Sequence, residues 1–225
     1  YIGNRLFIFD LDGTLIDSVA DLAAAGNHTL ELHGFRTHQL QEYYKFVGNG
    51  IGKLMERALP EGSKHLAESL LDDFRAYYNI HLADNTKPYP GIPELLSYIQ
   101  SQGAKIAVAS NKYQAATEML VGKLFPDICF CSIHGQRDGV AGEGCHIPEP
   151  QAGSGVVFEI VEDADARLSD VIYVGDSDVD MRTAANADVC AIGVTYGFCP
   201  AETVASFKPW KVASSAAEIK AILEG

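Results

Sequence analysis

The stretch that decides the fold runs from residue 5 to residue 18: Arg-Leu-Phe-Ile-Phe-Asp-Leu-Asp-Gly-Thr-Leu-Ile-Asp-Ser. Residues 6–9 are unbroken apolar, the mark of a strand covered on both faces. The strand runs out into two carboxylates, Asp10 and Asp12, followed by Gly13 and Thr14. Side chains alternate along an extended chain, so the two carboxylates would share a direction if the strand continued. Like charges this close are costly unless a cation or a proton sits between them. Asp and Gly also favour turns, which is the ordinary alternative. The whole string directly after an apolar strand favours a site.

Outward from this stretch, four more short apolar runs end in polar residues or turns: 105–110 (KIAVAS), 128–133 (ICFCSI), 171–176 (VIYVGD) and 189–194 (VCAIGV). Helical patterns separate them. Residues 92–102 carry Pro93 in the first turn and stop at Gly103, and 114–124, 155–164 and 180–186 follow. Strand and helix in alternation predict an α/β protein with a Rossmann-like parallel sheet. Between residues 17 and 89 the spacing is helical throughout, over 17–32, 51–59 and 65–80. The last segment has Leu66, Leu70, Leu71, Phe74 and Tyr78 on one stripe. This predicts an all-helical cap over 17–89, inserted after the first strand into a core made of 1–16 and 90–225. Residues 83–91, rich in turn formers, form the return linker.

Two more clusters follow strands. Asp176, Asp178 and Asp180 come after residues 171–175, and with Asp10 and Asp12 they could converge on one crevice. Oxygen donors of this kind suit Mg²⁺, and the bland reading is a solvated turn with a helix cap. Ser110, Asn111 and Lys112 end the 105–110 strand, where a hydroxyl, backbone amides and an ammonium could cradle a phosphate, or simply cap a helix.

The 225 residues sum to a formal charge of −13, which disfavours nucleic-acid and anionic-membrane partners. No apolar run is long enough to span a bilayer, and the opening YIGNRLFIFD has too short an apolar run for a secretion signal. Five cysteines, an odd number, speak for free thiols in a reducing cytoplasm. Cys129, Cys131, His134, Cys145 and His146 match no common zinc spacing. Cys129 and Cys131 read as small buried hydrophobes on a strand. Residues 135–155, rich in glycine, read as a loop, and Phe74, Tyr77 and Tyr78 as packing within the cap.

The strings DLDGTLIDS, VGNG (residues 47–50), PYPG (88–91), ASNK (109–112) and VGDSDVDM (174–181), in this order, resemble the haloacid dehalogenase superfamily. More narrowly they resemble its phosphoglycolate phosphatase group. The resemblance implies a Mg²⁺-dependent phosphatase acting on a small phosphorylated metabolite, as a monomer or homodimer. A phosphomutase or a non-catalytic relative is the alternative. Asp10 would be the nucleophile that forms an aspartyl-phosphate, and Asp12 the acid and base. Mg²⁺ would be held by Asp10, the backbone carbonyl of Asp12 and Asp176, with Asp180 beside it. Ser110 and Lys112 would act on the transferring phosphoryl group, with Gly13, Thr14, Asn111 and Asn49 helping to bind substrate. Lys53 and Arg57, beside Asn49, read as a solvated helix face. Two departures stand out. The family's Lys-Pro-x-Pro stretch is here Gly142–Pro150 without lysine, and no lysine occurs between Lys123 and Lys208. Lys112 and Arg137 are the candidate replacements: an ammonium within reach of Asp10 would mean that the role has moved, and none there a crippled or non-catalytic protein. Asp188 stands where the family carries Ala-Gly, which implies a local backbone adjustment.

Overall fold

The computed structural model describes residues 2–137 and 153–225. Its central element is β1 (Leu6–Phe9), every residue of which is buried. Phe7 and Phe9 enter one apolar cluster while Leu6 and Ile8 enter another, so the period-two alternation of one strand feeds a core on each face of the sheet. Around β1 stand β4 (Lys105–Tyr113), β5 (Phe130–Gln136), β6 (Val171–Gly175), β7 (Cys190–Val194) and β8 (Lys211–Ala213), in the order β5-β4-β1-β6-β7-β8. All neighbouring strands of this sheet are parallel. The fold is therefore the expected α/β class with a Rossmann-like sheet. Because β1 lies between β4 and β6, connections leave it in both directions. The crevice at its carboxyl end is the switch point where such sheets bind ligands.

Helices α5 (Ile92–Ser101), α6 (Gln114–Leu124), α7 (Ser154–Asp163), α8 (Asp178–Asn186), α9 (Ala201–Ser206) and α10 (Ala216–Glu224) cover the sheet. The helical insertion contains α1 (Val19–Leu32), α2 (Leu40–Tyr43), α3 (Gly50–Ala58), a 3₁₀ segment (Glu61–Leu70) and α4 (Leu71–His81). It is entered and left through an antiparallel ribbon of β2 (Ile16–Asp17) and β3 (Lys87–Pro88), paired Ile16 to Pro88 and Asp17 to Lys87. Just inside, the buried carboxylate of Asp21 accepts from the backbone N–H groups of Asn85 and Thr86 at 2.8 Å each, and from both their side chains. Charge-assisted bonds of this kind are among the stronger ones available. They fasten the return linker to α1.

The structure departs from the expectation at several places. Residues 65–80 are not one helix but a 3₁₀ segment followed by α4. With three residues per turn the buried pair becomes Ala67 and Leu70, and Leu66 turns outward. The short elements α2, α9, α10 and β8 went unseen in the sequence. Strand β8 has three residues, two of them exposed, too few to register a period. Cys129 and Cys131 are exposed rather than buried. Position 131 falls on the outward side of β5, an edge strand. His134 is buried beside Asp163 and Glu159, 3.0 and 3.4 Å away, and so is held by carboxylates. Cys145, His146 and most of the glycine-rich segment lie outside the described residues. At Asp188 the adjustment is a left-handed residue, φ +56°, whose N–H closes on Ala185 at 3.1 Å. Asp tolerates that region better than most residues. No helix among the described residues is long and apolar enough to cross a membrane.

Candidate active site

At the end of β1 the chain turns into Asp10, whose N–H still bonds to Val174 of β6 at 2.9 Å. Strand β6 ends at Gly175 and passes into Asp176. Ser177 then caps α8, its hydroxyl accepting from the Asp180 N–H at 3.2 Å. The reciprocal half of this capping box turns the Asp180 carboxylate back towards the strand end. There it accepts from the N–H groups of Asp176 and Ser177 at 3.0 Å each and from the Ser177 hydroxyl at 2.9 Å. Gly175 permits this return, because a Cβ there would overlap the Asp180 side chain. Asp176 is held from the other side by the Thr14 hydroxyl (3.3 Å) and the N–H of Phe198 (2.7 Å).

Asp10, Asp176 and Asp180 thus each present a carboxylate oxygen within 4.8 Å of the others. Burial, then the charges of Asp180, Asp176 and Asp12, push the Asp10 carboxyl well above its usual range. Burial raises Asp176 from 3.8 to about 6. Burial and the charge of Asp176 raise Asp180 from 3.8 to about 7. The backbone and hydroxyl donors only partly offset this. Three closely spaced carboxylates that have no lysine or arginine ion-pair partner among the described residues fit a hard divalent ion.

Asp12 belongs to a different set. Its Oδ1 accepts a hydrogen bond from the Ser18 hydroxyl and lies 3.3 Å from Lys112 Nζ. Lys112 is 4% exposed, and its ammonium also donates to the Tyr78 hydroxyl at 2.7 Å. Asp10, Asp12, Ser110, Asn111 and Lys112 line one cavity whose opposite wall is Leu22, Val47, Gly48, Gly50, Ile51 and Leu54 of the insertion. A second, adjoining cavity shares Asp10 and Asp12 and reaches Asp176, Asp180, Asn49, Tyr44 and Phe198.

The model of a haloacid dehalogenase-like hydrolase matches residues 7–194. The chain belongs to the haloacid dehalogenase-like hydrolases. Among curated members, a phosphoglycolate phosphatase of Pseudomonas syringae pv. tomato is 33% identical over 212 residues, covering 91% of this chain and 74% of that one. One from Agrobacterium fabrum is 32% identical over 199 residues, covering 87% and 82%. Among solved structures, a putative phosphoglycolate phosphatase from Lactobacillus delbrueckii subsp. bulgaricus superposes with a TM-score of 0.85 at 25% identity, over 98% of each chain.

The haloacid dehalogenase-like site gathers most of the residues singled out in the sequence, with corrections. Thr14 is wholly buried and spends its hydroxyl on Asp176, so it supports that carboxylate and does not face the cavity. Gly13 likewise acts by its backbone: at φ +86°, a Cβ there would overlap the Asp176 carboxylate. The Asp12 side chain stands outside the acidic triad. Lys112 meets Asp12 and not Asp10, because β4 delivers it beside the insertion and away from β6. Arg137 is absent from both cavity walls. Asn49 lines the second cavity with its Oδ1 taken by Arg57, 2.8 Å away, while Asn111 spends its Nδ2 on the Gly48 carbonyl at 3.0 Å. Lys53 is exposed and pairs with Glu56 at 3.1 Å.

Three participants were missed. Phe198 supplies a backbone donor, and a backbone contact leaves no trace in residue type. Gly197 approaches Gly13 and Asp176 so closely that a Cβ would overlap both; a glycine after an apolar strand was the only available signal. Tyr78 has the spacing of a packing residue, and nothing local marks its hydroxyl as a partner of Lys112.

The raised carboxyls carry a sign for stability. Between about pH 4 and pH 7 the folded, ion-free protein binds more protons than the unfolded chain, so its stability falls as pH rises through that window. Raising pH from 5 to 8 in chelator is expected to lower Tm by at least about 3 °C, and Mg²⁺ at pH 8 to restore it. Thermal melts across that range check this. A Tm that rose towards pH 8 in chelator would contradict the crowded-carboxylate picture.

Proposed function

We propose that this phosphatase of the haloacid dehalogenase type hydrolyses a small phosphate monoester, phosphoglycolate or a close analogue, through an aspartyl-phosphate on Asp10. One observation carries the reading. The acids form two sets, the triad Asp10, Asp176 and Asp180, and Asp12 apart with its own donors, both opening on one cavity. A nucleophile and an acid–base group need different surroundings, and here they have them.

Mg²⁺ is the fitting ion and would be held by Asp10, Asp176 and the Asp12 backbone carbonyl, with Asp180 alongside. It would neutralise charge between an anionic nucleophile and an anionic phosphate. The residues of the chain do the rest. Asp10 attacks phosphorus while Asp12 delivers a proton to the departing alkoxide, so the product leaves as an alcohol. Asp12 then takes a proton from the water that attacks the aspartyl-phosphate, regenerating Asp10 and releasing phosphate. The Ser110 hydroxyl donates to a phosphoryl oxygen, and Lys112 is the one lysine or arginine side chain lining these cavities among the described residues. Residues 17–89 act as the cap, with 1–16 and 90–225 as the catalytic core. The aliphatic face of Leu22, Ile51 and Leu54 excludes water and limits the leaving group to a small one. The four described cysteines are free thiols, in keeping with a cytoplasmic setting.

The test is a panel of small phosphate esters with Mg²⁺, run for the wild type and for Asp12→Ala. An alkyl ester needs its leaving oxygen protonated; an aryl ester needs this far less. The variant is expected to lose about 10²–10⁴-fold on alkyl phosphates and much less on 4-nitrophenyl phosphate in the phosphorylation step. Equal losses on both would remove Asp12 as the acid.

A further inference from the structure

Tyr78 sits in α4 of the insertion, wholly buried, with its ring against Phe74 and Tyr113. Its hydroxyl accepts from Lys112 Nζ at 2.7 Å, and the same ammonium lies 4.6 Å from the centre of its ring. Lys112 comes from the other part of the molecule, two residues past Ser110 on β4, and reaches Asp12 Oδ1 at 3.3 Å. The Ser18 hydroxyl binds that same oxygen. The hydroxyl's hydrogen bond and the ammonium's ion pair therefore both fall on Oδ1, and Oδ2 of Asp12 has no protein partner among the described residues. A carboxyl fixed by one oxygen presents the other in a set direction.

A buried lysine on a four-carbon stem has no fixed direction of its own. Here the direction is imposed by Tyr78 through its hydroxyl. Burial keeps the phenol protonated, since its ionisation is pushed far above the usual range. It therefore stays a neutral acceptor for the ammonium.

We propose that Tyr78 is a positioning residue for catalysis: from α4 it aims Lys112 at Asp12, so that Asp12 is oriented only while the helical insertion is seated on β4. The inference rests on the reading of Asp12 as the acid and base. It adds that the insertion contributes to proton transfer through the chain Tyr78–Lys112–Asp12, and not solely to covering the site.

The experiment compares wild type, Tyr78→Phe, Lys112→Met and the double variant, using phosphoglycolate as alkyl ester and 4-nitrophenyl phosphate as aryl ester, with Mg²⁺. Phenylalanine keeps the ring and its packing and removes only the hydroxyl. Tyr78→Phe is expected to lower kcat for the alkyl ester about tenfold, with the aryl ester and both KM values within about twofold. In the Lys112→Met background the same change is expected to add nothing, since the lysine it aims is gone. The ratio of the two kcat values does not depend on the fraction of protein folded, so it is readable even for a less stable variant. A loss equal for both esters, no loss at all, or a full further loss on top of Lys112→Met would each overturn the proposal. Asp12→Ala in the same assay separates the two levels. If it spares neither ester, the acid–base reading fails and the inference with it. If it discriminates between the esters while Tyr78→Phe does not, only the inference fails.

Discussion

Replacing Asp10 by Asn is expected to reduce turnover on the order of 10⁵–10⁶-fold, the scale of losing a covalent nucleophile, without unfolding the protein. The amide keeps the shape of the side chain and can still accept from the Leu11 N–H, now 2.7 Å from Oδ1. It cannot attack phosphorus. The change also removes a charge from a place where burial, Asp180, Asp176 and Asp12 all oppose one. The ion-free variant should therefore melt no lower than wild type at pH 7.5, and higher if repulsion dominates. Mg²⁺ should raise its Tm less than it raises that of the wild type, since one of three carboxylates is gone. Kinetics with 4-nitrophenyl phosphate and paired melts with and without Mg²⁺ read out both effects. Near-normal turnover by Asp10→Asn would show that the nucleophile lies elsewhere.

The second large effect is expected at Lys112. Lys112→Met, close in length and apolar, is expected to lower kcat for an alkyl phosphate by about 10²–10³-fold, the usual cost of losing a donor where charge develops. The described stretches of the chain supply no other lysine or arginine to the cavity walls. The variant leaves the Asp12 carboxylate with the Ser18 hydroxyl alone, and the Tyr78 hydroxyl without its donor. Turnover should then depend more steeply on Mg²⁺ concentration, because no lysine or arginine among the described residues then lines the site. A kcat within about threefold of wild type, measured at saturating Mg²⁺ with circular dichroism unchanged, would show that Lys112 has no part in the chemistry. It would then be a buried ion-pair partner and nothing more.

How much of this was legible in the sequence varied with the range of the interaction. Residues 5–18 were readable in isolation, because an apolar run covered on both faces and the turn after it are local matters. Four further strands and the helices between them followed from period and punctuation. The same reading mistook residues 65–80 for one helix, since 3.0 and 3.6 residues per turn diverge too slowly over one segment to separate. It placed Cys129 and Cys131 indoors because a strand's composition does not say which of its faces lies at a sheet edge.

The chemistry divided in the same way. Which residue types could act was decided by the order of short strings along the chain: paired carboxylates after one strand, a second acidic cluster after another, and Ser110 with Lys112 after a third. A carboxylate is an oxygen donor wherever the chain takes it. Which carboxylates share a centre was decided only when β6 was laid beside β1, bringing Asp176 and Asp180 to within reach of Asp10. The partner of Lys112 was decided later still. Its ammonium, a candidate for Asp10 by sequence, lies at Asp12, because α4, whose Tyr78 is 34 residues back in the chain, holds it there. Spacing along a sequence encodes contacts only within one element. Contacts between a helical insertion and a sheet depend on how two apolar surfaces settle against each other, and that packing has no period to read.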